Sequence, residues 1–288
     1  MLSIIDGKAI SKKLREDLKI QVSKLKRKPR LVIISIGNDP ASKIYIKNKK
    51  KACEEIGIDL IIVEKDENIS REEALDLIDE FNGDAFVDGI MVQEPLPKHL
   101  EGISEEINID NDVDGFTSAN LGKLVLGDGF FFMPCTPAGV IELIDSTGIP
   151  IEGKHVVVIG RSKIVGKPLS ALLTHRNATV TLCHSKTKNL EEICRSSDIL
   201  ISAVGKPKFV NKNFIGDNTR IVIDVGINRL DNGKVVGDVD FEEVSEMFKH
   251  RINTNYITPV PGGVGPMTVT SLMINTVLSH VQRKVDEI

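Results

Sequence analysis

The 288-residue chain is 41% hydrophobic and 27% charged, which is typical of globular proteins rather than disordered or fibrous ones. Its 37 basic and 41 acidic residues give a net charge of −4, which argues against a global attraction to nucleic acid or an anionic membrane. No apolar run in the sequence reaches the about 20 residues that a membrane span needs, and we expect a cytoplasmic protein. The four cysteines show neither a C-x-x-C pair nor a zinc-like spacing with histidine, so we expect reduced thiols and no metal site.

Runs rich in valine and isoleucine alternate with amphipathic stretches, which predicts an α/β fold of parallel strands connected by helices. In the first half, the predicted strands lie near 31–37, 58–64 and 88–93, and the predicted helices near 8–26, 41–56 and 70–82. In the second half, a helical pattern starts at Thr136, and the predicted strands lie near 155–160, 178–184, 198–205 and 220–226. Apolar residues at helical spacing predict a long closing helix over about 267–288.

A stretch rich in glycine, aspartate and proline, residues 112–139, separates the two halves. We place the domain boundary near Leu121. This gives an N-terminal α/β substrate domain over 1–120 and a C-terminal Rossmann-type domain, with a doubly wound parallel sheet, over 121–266. We expect the closing helix to pack back onto the N-terminal domain and an active-site cleft to lie between the two domains.

Residues 155–176 predict a buried strand, a turn at Gly160 and a helix that begins near Gly166, the arrangement in which a helix N-terminus binds a pyrophosphate. The spacing differs from G-x-G-x-x-G, because Ser162 stands where the second glycine would be. Taken alone, the segment fits an ordinary strand-to-helix turn equally well.

The end of the following strand, "CHSKT", indicates which dinucleotide binds. An NAD site usually carries a carboxylate there that accepts a hydrogen bond from the ribose 2′-OH. This chain has Ser185 in that segment and Arg161 in the glycine turn, so the residues favour NADP over NAD. Gly205 in "SAVGKP" and Ile227 in "DVGINR" follow two further strands, where backbone is expected close to the nicotinamide half, although each segment alone is more typical of a tight turn.

The run "YIKNKKK", residues 45–51, contains four lysines that a helix would separate. Helical spacing over 42–56 places Lys49 alone in an apolar stripe, whereas the other three face the opposite side and are expected to be solvated. The stripe consists of Tyr45, Lys49, Ala52, Cys53 and Ile56. Apolar surroundings lower the pKa of a lysine, and Tyr45 one turn away can hydrogen-bond to it, so Lys49 is a candidate for proton transfer. The alternative is a lysine whose stem reaches past the stripe to solvent.

Three other polar segments are candidates for the same site, although each is more often structural when taken singly. Gln93 ends a strand and is followed by prolines, which prevent further pairing and turn its amide toward a cleft. Residues 112–115, "DVDG", supply two carboxylates in a turn. Residues 258–268, "TPVPGGVGPMT", predict a rigid loop suited to a flat ligand.

These segments, in their order and spacing, resemble the bifunctional methylenetetrahydrofolate dehydrogenase/methenyltetrahydrofolate cyclohydrolase (FolD) family over nearly the whole chain. The segments that carry the resemblance are "ASKIYIKNKKKACEEIGI", "VQEPLP", "DVDGF", "PCTPAGV", "GRSKIVGKP", "CHSKT", "DVGINR" and "TPVPGGVGPMT". One position departs from the family pattern, since Glu94 stands where an apolar residue usually follows the glutamine. A carboxylate there would disfavour the acidic tail of folate or raise the pKa of Lys49, unless it points to solvent.

The resemblance implies NADP-dependent oxidation of 5,10-methylenetetrahydrofolate to the methenyl form, followed by hydrolysis to 10-formyltetrahydrofolate. It implies a catalytic Lys49 assisted by Tyr45 and Gln93, and an Asp114 that holds the pterin ring. The implied folate-contacting loop comprises Pro261, Gly262, Gly263, Val264 and Gly265. The implied NADP-binding residues are Gly160, Arg161, Ser162, Gly166, Ser185, Gly205 and Ile227, with Arg161, Ser162 and Ser185 on the 2′-phosphate side. The family is also homodimeric.

Three alternatives stay open at the level of sequence. A monofunctional dehydrogenase would lack the hydrolysis step, and a missing Lys49 would have supported it. A two-domain dehydrogenase of the shikimate type would share the architecture but not the substrate. A non-catalytic nucleic-acid-binding protein built around the lysine run is disfavoured by the acidic net charge.

Overall fold

The computed structural model describes residues 1–285 and confirms the predicted α/β class. The residues group into two compact units, each of which draws on two stretches of chain. The six-stranded unit consists of Met1–Ser11 and Thr136–Thr268. The three-stranded unit consists of Lys12–Cys135 and the chain from Val269 onward.

Strands and helices alternate along the chain. Up to Leu126 the elements are β1 (Leu2–Ile4), α1 (Gly7–Val22), β2 (Arg30–Ile36), α2 (Pro40–Ile56), β3 (Asp59–Lys65), α3 (Arg71–Gly83), β4 (Gly89–Gln93) and α4 (Ser118–Leu126). From Cys135 onward they are α5 (Cys135–Asp145), β5 (His155–Ile159), α6 (Gly166–His175), β6 (Thr179–Cys183), α7 (Leu190–Arg195), β7 (Ile199–Ser202), β8 (Ile221–Asp224), β9 (Asn228–Arg229), β10 (Val235–Val236), α8 (Phe241–Lys249), β11 (Asn255–Ile257) and α9 (Val264–Val285). The predicted end of the closing helix, residues 286–288, lies outside the described residues.

The three-stranded unit is built on a parallel sheet in the order β3-β2-β4. Its central strand β2 is buried on both faces, as expected for a parallel strand covered by helices on either side. Leu31 and Ile33 point into a core shared with α1, α2 and α9, whereas Val32 and Ile34 point into a second core shared with α3. The continuous apolar run of β2 therefore serves two cores through the alternation of its side chains.

The six-stranded unit has the strand order β1-β11-β8-β7-β5-β6, and every neighbouring pair is parallel. From β5 the chain first adds β6 on one side and then β7 on the other, so the order reverses between β5 and β7. Such a reversal opens a crevice at the carboxyl ends of the strands, where doubly wound sheets bind ligands. A short antiparallel pair, β9 and β10, follows β8.

The division between the units differs from the expected boundary near Leu121, because it falls after Cys135. The intervening segment stays with the three-stranded unit through Asn120, whose amide donates to the carbonyl of Phe132 at 2.6 Å and accepts from its N–H at 2.8 Å. The first eleven residues also group differently from the expected 1–120 domain, since β1 pairs with β11 in the six-stranded sheet. A three-residue strand has too few positions to show a pattern, so its partner is not evident from the sequence.

Among the described residues, no helix has both the length and the apolar character needed to cross a membrane.

Candidate functional site

Helix α2 begins and ends where its sequence predicts. The Asp39 side chain caps it by accepting from the N–H of Ser42 at 2.7 Å, and Gly57 ends it with a φ of 96°. Lys49 is only 7% exposed, while the other three lysines of the run, Lys47, Lys50 and Lys51, are exposed. The predicted separation of one buried lysine from three solvated ones is confirmed.

The Lys49 ammonium donates to Gln93 Oε1 at 2.8 Å and contacts Met91 Sδ at 3.1 Å. Met91 and Gln93 lie two residues apart on β4, so they point to the same face of the strand. The Gln93 amide nitrogen donates to the carbonyl of Glu94 at 2.7 Å, which leaves the amide oxygen for the lysine. Both partners are uncharged, so they hold Lys49 in place without supplying the negative charge that would favour its ammonium form.

The two carboxylates of the "DVDG" turn have different roles in the fold. Asp112 is 2% exposed and accepts from the N–H groups of Gly115, Phe116 and Thr117, and also from the Thr117 hydroxyl at 2.7 Å. It is therefore the residue that shapes the turn. Asp114 is half-buried and interacts electrostatically with Lys49, so it is the carboxylate available for chemistry.

Two further residues hold Asp114 in position within the three-stranded unit. The Cys135 thiol donates to the carbonyl of Val113 at 3.5 Å, and it lies close enough to the Asp114 side chain to affect the pKa of that carboxyl. Asn275 on α9 donates to the carbonyls of Val113 at 2.8 Å and Met133 at 2.9 Å. The buried Asn275 amide thus hydrogen-bonds both the backbone directly before Asp114 and the backbone that leads to Cys135.

Burial sets the protonation of this cluster. It lowers the pKa of Lys49, while the neighbouring Asp114, Cys135 and Cys53 act in the opposite direction. Burial also raises the pKa of Asp114, while the neighbouring Lys49 ammonium and Cys135 thiol act in the opposite direction. The pKa of the Cys135 thiol is raised well above its ordinary value by the same loss of solvent, so it stays protonated. The neutral amine of Lys49 is therefore more accessible near neutral pH than that of an exposed lysine.

Tyr45 and Glu94, the two residues beside this cluster, are more exposed than Lys49. Tyr45 is 41% exposed, and the hydrogen bonds of the Lys49 ammonium among the described residues go to Met91 and Gln93. The helix turns it toward the edge of the predicted stripe, where its ring stays accessible. Glu94 is exposed and its carboxylate accepts from the N–H of Leu96 at 3.0 Å. Its charge raises the pKa of Asp114 rather than acting on Lys49.

In the six-stranded unit, a cavity of about 250 Å³ lies at the point where the strand order reverses. Three of the predicted cofactor residues, Gly160, Arg161 and Ser185, line it. The other lining residues are Ile159, His184, Leu190, Ala203, Val204, Lys206 and Phe209. None of these described lining residues carries a carboxylate, whereas two carry a cationic side chain, which suits a phosphate-bearing ligand.

The backbone around this cavity is packed so closely that two glycines are required. Gly160 has a φ of 120°, and a Cβ on it would collide with the carbonyl oxygen of Ala203. A Cβ on Gly166, the first residue of α6, would collide with the carbonyl oxygen of Gly160. Such a close turn at a helix N-terminus allows backbone N–H groups to approach a pyrophosphate, so the residues present fit a dinucleotide.

Four predicted cofactor residues lie outside the lining of the cavity, namely Gly166, described above, and Ser162, Gly205 and Ile227. The Ser162 hydroxyl accepts from the N–H of Val165 at 3.1 Å and so stabilises the turn that enters α6. Gly205 has a φ of 64° and follows β7. Ile227 follows β8 and is 51% exposed, an unusual degree of exposure for an isoleucine beside a buried strand.

The predicted folate loop connects β11 to α9. Pro261 follows a cis peptide bond and is exposed, Gly262 has a φ of 115°, and Gly263 is buried. Val264 is 5% exposed and begins α9. A Cβ placed on Gly265 would lie 4.0 Å from Ile227 Cδ1, so two of the predicted ligand-contacting positions are neighbours within this unit.

No group of His, Cys, Asp and Glu side chains suited to a metal ion occurs among the described residues.

Comparison with family models identifies the two halves of the chain. The model for the catalytic domain of tetrahydrofolate dehydrogenase/cyclohydrolase matches residues 5–114, and the model for its NAD(P)-binding domain matches residues 134–284. This chain belongs to the tetrahydrofolate dehydrogenase/cyclohydrolase family. The membership confirms the resemblance and the two-domain α/β class predicted from the sequence, and it assigns an NAD(P)-binding domain to the half that holds the cavity.

Similar proteins from this family cover almost the whole chain. A bifunctional protein FolD from Acetivibrio thermocellus is 51% identical over 279 residues, which cover 95% of each chain. The crystal structure of bifunctional FolD from Campylobacter jejuni is 46% identical, has a TM-score of 0.93, and is matched over 98% of this chain and all of its own. A Trypanosoma brucei FolD structure, complexed with NADP cofactor and an inhibitor, is 35% identical with a TM-score of 0.89, over 99% of this chain and 98% of its own.

Sequence reasoning missed several residues of these sites. Met91 was detectable, because it lies two residues before Gln93 and must share its face of the strand. Lys206 was also detectable as the neighbour of Gly205. Cys135 and Asn275 were not, because their contacts with the "DVDG" turn join segments separated by 22 and 162 residues.

Proposed function

We propose that this chain oxidises 5,10-methylenetetrahydrofolate to 5,10-methenyltetrahydrofolate with NADP+ and then hydrolyses the product to 10-formyltetrahydrofolate. The observation that carries the proposal is the buried Lys49, held by Gln93 and paired electrostatically with Asp114, in a chain of this family. The similar Campylobacter jejuni protein is a bifunctional methylenetetrahydrofolate dehydrogenase/cyclohydrolase, which supports the same pair of reactions here.

The oxidation needs positioning more than acid or base chemistry. Hydride leaves a methylene carbon flanked by two nitrogens, whose lone pairs stabilise the resulting cation. When bound, NADP+ supplies the hydride acceptor. The part of this chain is to hold the two ligands: Gly160 and Gly166 allow the backbone approach, while Ile227 supplies an exposed apolar surface for a ring.

The hydrolysis needs proton transfer, and Lys49 is the proposed catalytic residue. Water forms a C–O bond with the methenyl carbon while its proton passes to the neutral Lys49 amine. The bond between that carbon and N5 then breaks, N5 takes the proton from Lys49, and the remaining hydroxyl proton leaves as the formyl C=O forms. Burial that lowers the pKa of Lys49 supports this role, because the amine must accept a proton and release it in the same cycle.

Asp114 is proposed to hold the pterin by accepting from its amino and ring N–H groups. Its fixed turn and half-buried position support that role. Tyr45 is proposed to orient the ligand through its exposed ring, rather than through a bond to Lys49. The loop from Pro261 to Gly265 is proposed to pack along the folate, a role suited to its rigid backbone.

NADP is proposed in preference to NAD because of the charges that line the cavity. Arg161 and Lys206 supply positive charge and Ser185 a hydroxyl donor, whereas the lining offers no carboxylate for a ribose 2′-OH. Ser162, whose backbone lies in the same turn, is proposed on the 2′-phosphate side with Arg161 and Ser185.

The assembly and location are proposed from the family resemblance. We infer a homodimer in the cytoplasm. Light scattering during gel filtration of the purified protein should give twice the mass of one chain, and a monomer at micromolar concentration would contradict the dimer.

The proposal is tested by supplying methylenetetrahydrofolate to the purified protein with either NADP+ or NAD+. We expect NADPH formation with a clear preference for NADP+, and 10-formyltetrahydrofolate detected by chromatography. NADPH with methenyl product that hydrolyses no faster than without enzyme would indicate a monofunctional dehydrogenase. If this substrate gives no NADPH, the proposal is contradicted. A parallel reaction with shikimate is the control for the alternative of a shikimate-type dehydrogenase.

A further inference from the structure

Two carboxylates, Asp224 and Asp238, are buried side by side in the six-stranded unit, and the reactions described above use neither. Asp224 is 3% exposed and Asp238 is fully buried. The N–H of Asp238 donates to Asp224 Oδ1 at 2.9 Å. Buried carboxylates are rare unless they are fully hydrogen-bonded, so the contacts of this pair indicate what it is for.

The Asp238 carboxylate accepts hydrogen bonds from three consecutive backbone N–H groups of one turn. Its Oδ2 accepts from the N–H groups of Val204 at 2.6 Å and Gly205 at 3.2 Å, and its Oδ1 accepts from the N–H of Lys206 at 2.9 Å. Successive N–H groups that converge in this way form a concave anion site. Here the anion is a side chain of the protein, so this turn is not available to a phosphate of a ligand.

The same carboxylate reaches a second segment. Asp238 Oδ1 also accepts from the Asn228 amide at 3.0 Å. The backbone at Gly226 lies so close to this carboxylate that a Cβ there would collide with it. Asp238 therefore contacts the residues on both sides of Ile227. The same carboxylate also holds the turn at Gly205.

We propose that Asp238 is a positioning residue of the dinucleotide site, because its single carboxylate fixes the Val204–Lys206 turn and the Ile227 segment relative to each other. The turn supplies Val204 and Lys206 to the lining of the cavity. This inference rests on the proposed function, in which Lys206 and Ile227 are cofactor-binding positions. Asp238 does not touch the cofactor in this arrangement, and it acts through the backbone that does.

The test is the Asp238→Asn variant, which keeps the shape of the side chain. In Asp238, both carboxylate oxygens accept from N–H groups. The asparagine side chain has an NH2 group in place of one oxygen, so in either orientation this NH2 group faces an N–H donor and a hydrogen bond is lost. We expect the KM for NADP+ and the dissociation constant of NADPH to rise about tenfold, the range for a lost charge-assisted hydrogen bond. The dehydrogenase kcat at saturating NADP+ and the rate of methenyl hydrolysis should stay close to wild type.

Asp198→Asn is the matched control. Asp198 also accepts from a backbone N–H, that of His155 at 2.9 Å, but it lies at the opposite end of the strands. It should alter thermal stability at most and leave the KM for NADP+ unchanged. An equal rise in KM in both variants would show a general effect of stability and would overturn the positioning role.

Further outcomes separate this inference from the proposed function. Wild-type affinity of Asp238→Asn for NADPH, measured by calorimetry, would overturn the inference even if both activities are present. A wild-type protein that binds NADPH without oxidising methylenetetrahydrofolate would contradict only the proposed function, and the calorimetric comparison would still decide the inference. If Asp238→Asn does not fold, Asn228→Ala replaces it, and an unchanged KM for NADP+ in that variant would overturn the inference.

Discussion

Around Lys49 the candidate site consists of buried side chains, whereas around Gly160 the cavity is formed by backbone and by exposed side chains. The Lys49 ammonium is enclosed with Gln93, Asp114 and Cys135, and burial sets its pKa. At Gly160 the close approach of backbone segments shapes the cavity, and Arg161 is exposed at its edge. We therefore expect that removing a functional group is most harmful in the first region, whereas adding a single methyl group is most harmful in the second.

Replacing Lys49 with alanine should give the largest effect. We expect methenyl hydrolysis to fall about 1,000-fold, within the range for loss of a general acid–base residue, while NADPH binding stays unchanged. In wild type, the hydrolysis rate should rise as the ammonium loses its proton, with an inflection below the ordinary lysine pKa of 10.5. Stopped-flow assays over a pH series measure both. Lys50→Ala, on the solvated face of the same helix, is the control, and equal losses in the two variants would remove the distinction between them.

Replacing Gly166 with alanine should give the next largest effect, although it adds only a methyl group. The added Cβ meets the backbone carbonyl of Gly160, which no side-chain rotation can relieve. We expect NADPH affinity to fall about 100-fold with hydrolysis of methenyltetrahydrofolate retained. Calorimetry and the hydrolysis assay decide this. Gly122→Ala, where a Cβ meets open space, is the control, and wild-type NADPH affinity in the Gly166 variant would contradict the backbone argument.

The two units should also differ in how pH affects their stability, because each holds a buried carboxylate with a different neighbour. Asp114 lies near the Lys49 ammonium, whereas Asp224 lies near the carboxylate of Asp238. Burial, with a smaller contribution from Asp238, raises the pKa of Asp224 from 3.8 to about 7. Since the folded state holds the proton more tightly, this group stabilises the fold below about pH 3.8, and its contribution is lost as pH rises through about 7.

Asp224→Asn tests this sign. Over that pH interval, the free energy of unfolding of wild type should fall relative to the variant by about 4 kcal/mol, because each unit of difference in pKa corresponds to about 1.4 kcal/mol. Urea unfolding at several pH values provides the measurement, with the exposed Asp231→Asn as the control. Parallel pH curves for wild type and Asp224→Asn would contradict the raised pKa.

Replacing Arg161 with alanine should give the smallest effect of the four, because an exposed guanidinium is partly screened by solvent. We expect the KM for NADP+ to rise about tenfold while the KM for NAD+ changes little, since only NADP+ has a 2′-phosphate. Steady-state kinetics with both dinucleotides measure the ratio, with Lys163→Ala as the exposed control. An equal loss for NADP+ and NAD+ would remove the 2′-phosphate argument.

The features predicted from the sequence are those that depend on neighbouring positions in the chain. The burial of Lys49 follows from a helical period of 3.6 residues, and the ends of α2 follow from Asp39 and Gly57. The parallel strands around Gly160 follow from their apolar runs. The exposure of Tyr45 escaped the same reasoning, because the edge of an apolar stripe depends on what packs against it.

Other features depend on contacts between distant segments, which local patterns do not encode. Cys135 and Asn275 reach the turn before Asp114 only after folding, and Asp238 acquires its role from a turn more than 30 residues earlier in the chain. The roles of the individual site residues, the cleft and the dimer stay predictions that the experiments above address.

The pairing of β1 with β11 has a consequence for the order in which the protein can be completed during synthesis. Leu2–Ile4 leave the ribosome about 250 residues before their partners, Asn255–Ile257. Until then, the six-stranded sheet lacks both β11 and β1, and Leu2–Ile4 have no neighbour to pair with. A separately expressed fragment of residues 136–268 would contain β11 but not β1, so one side of β11 would be open to pairing with another chain.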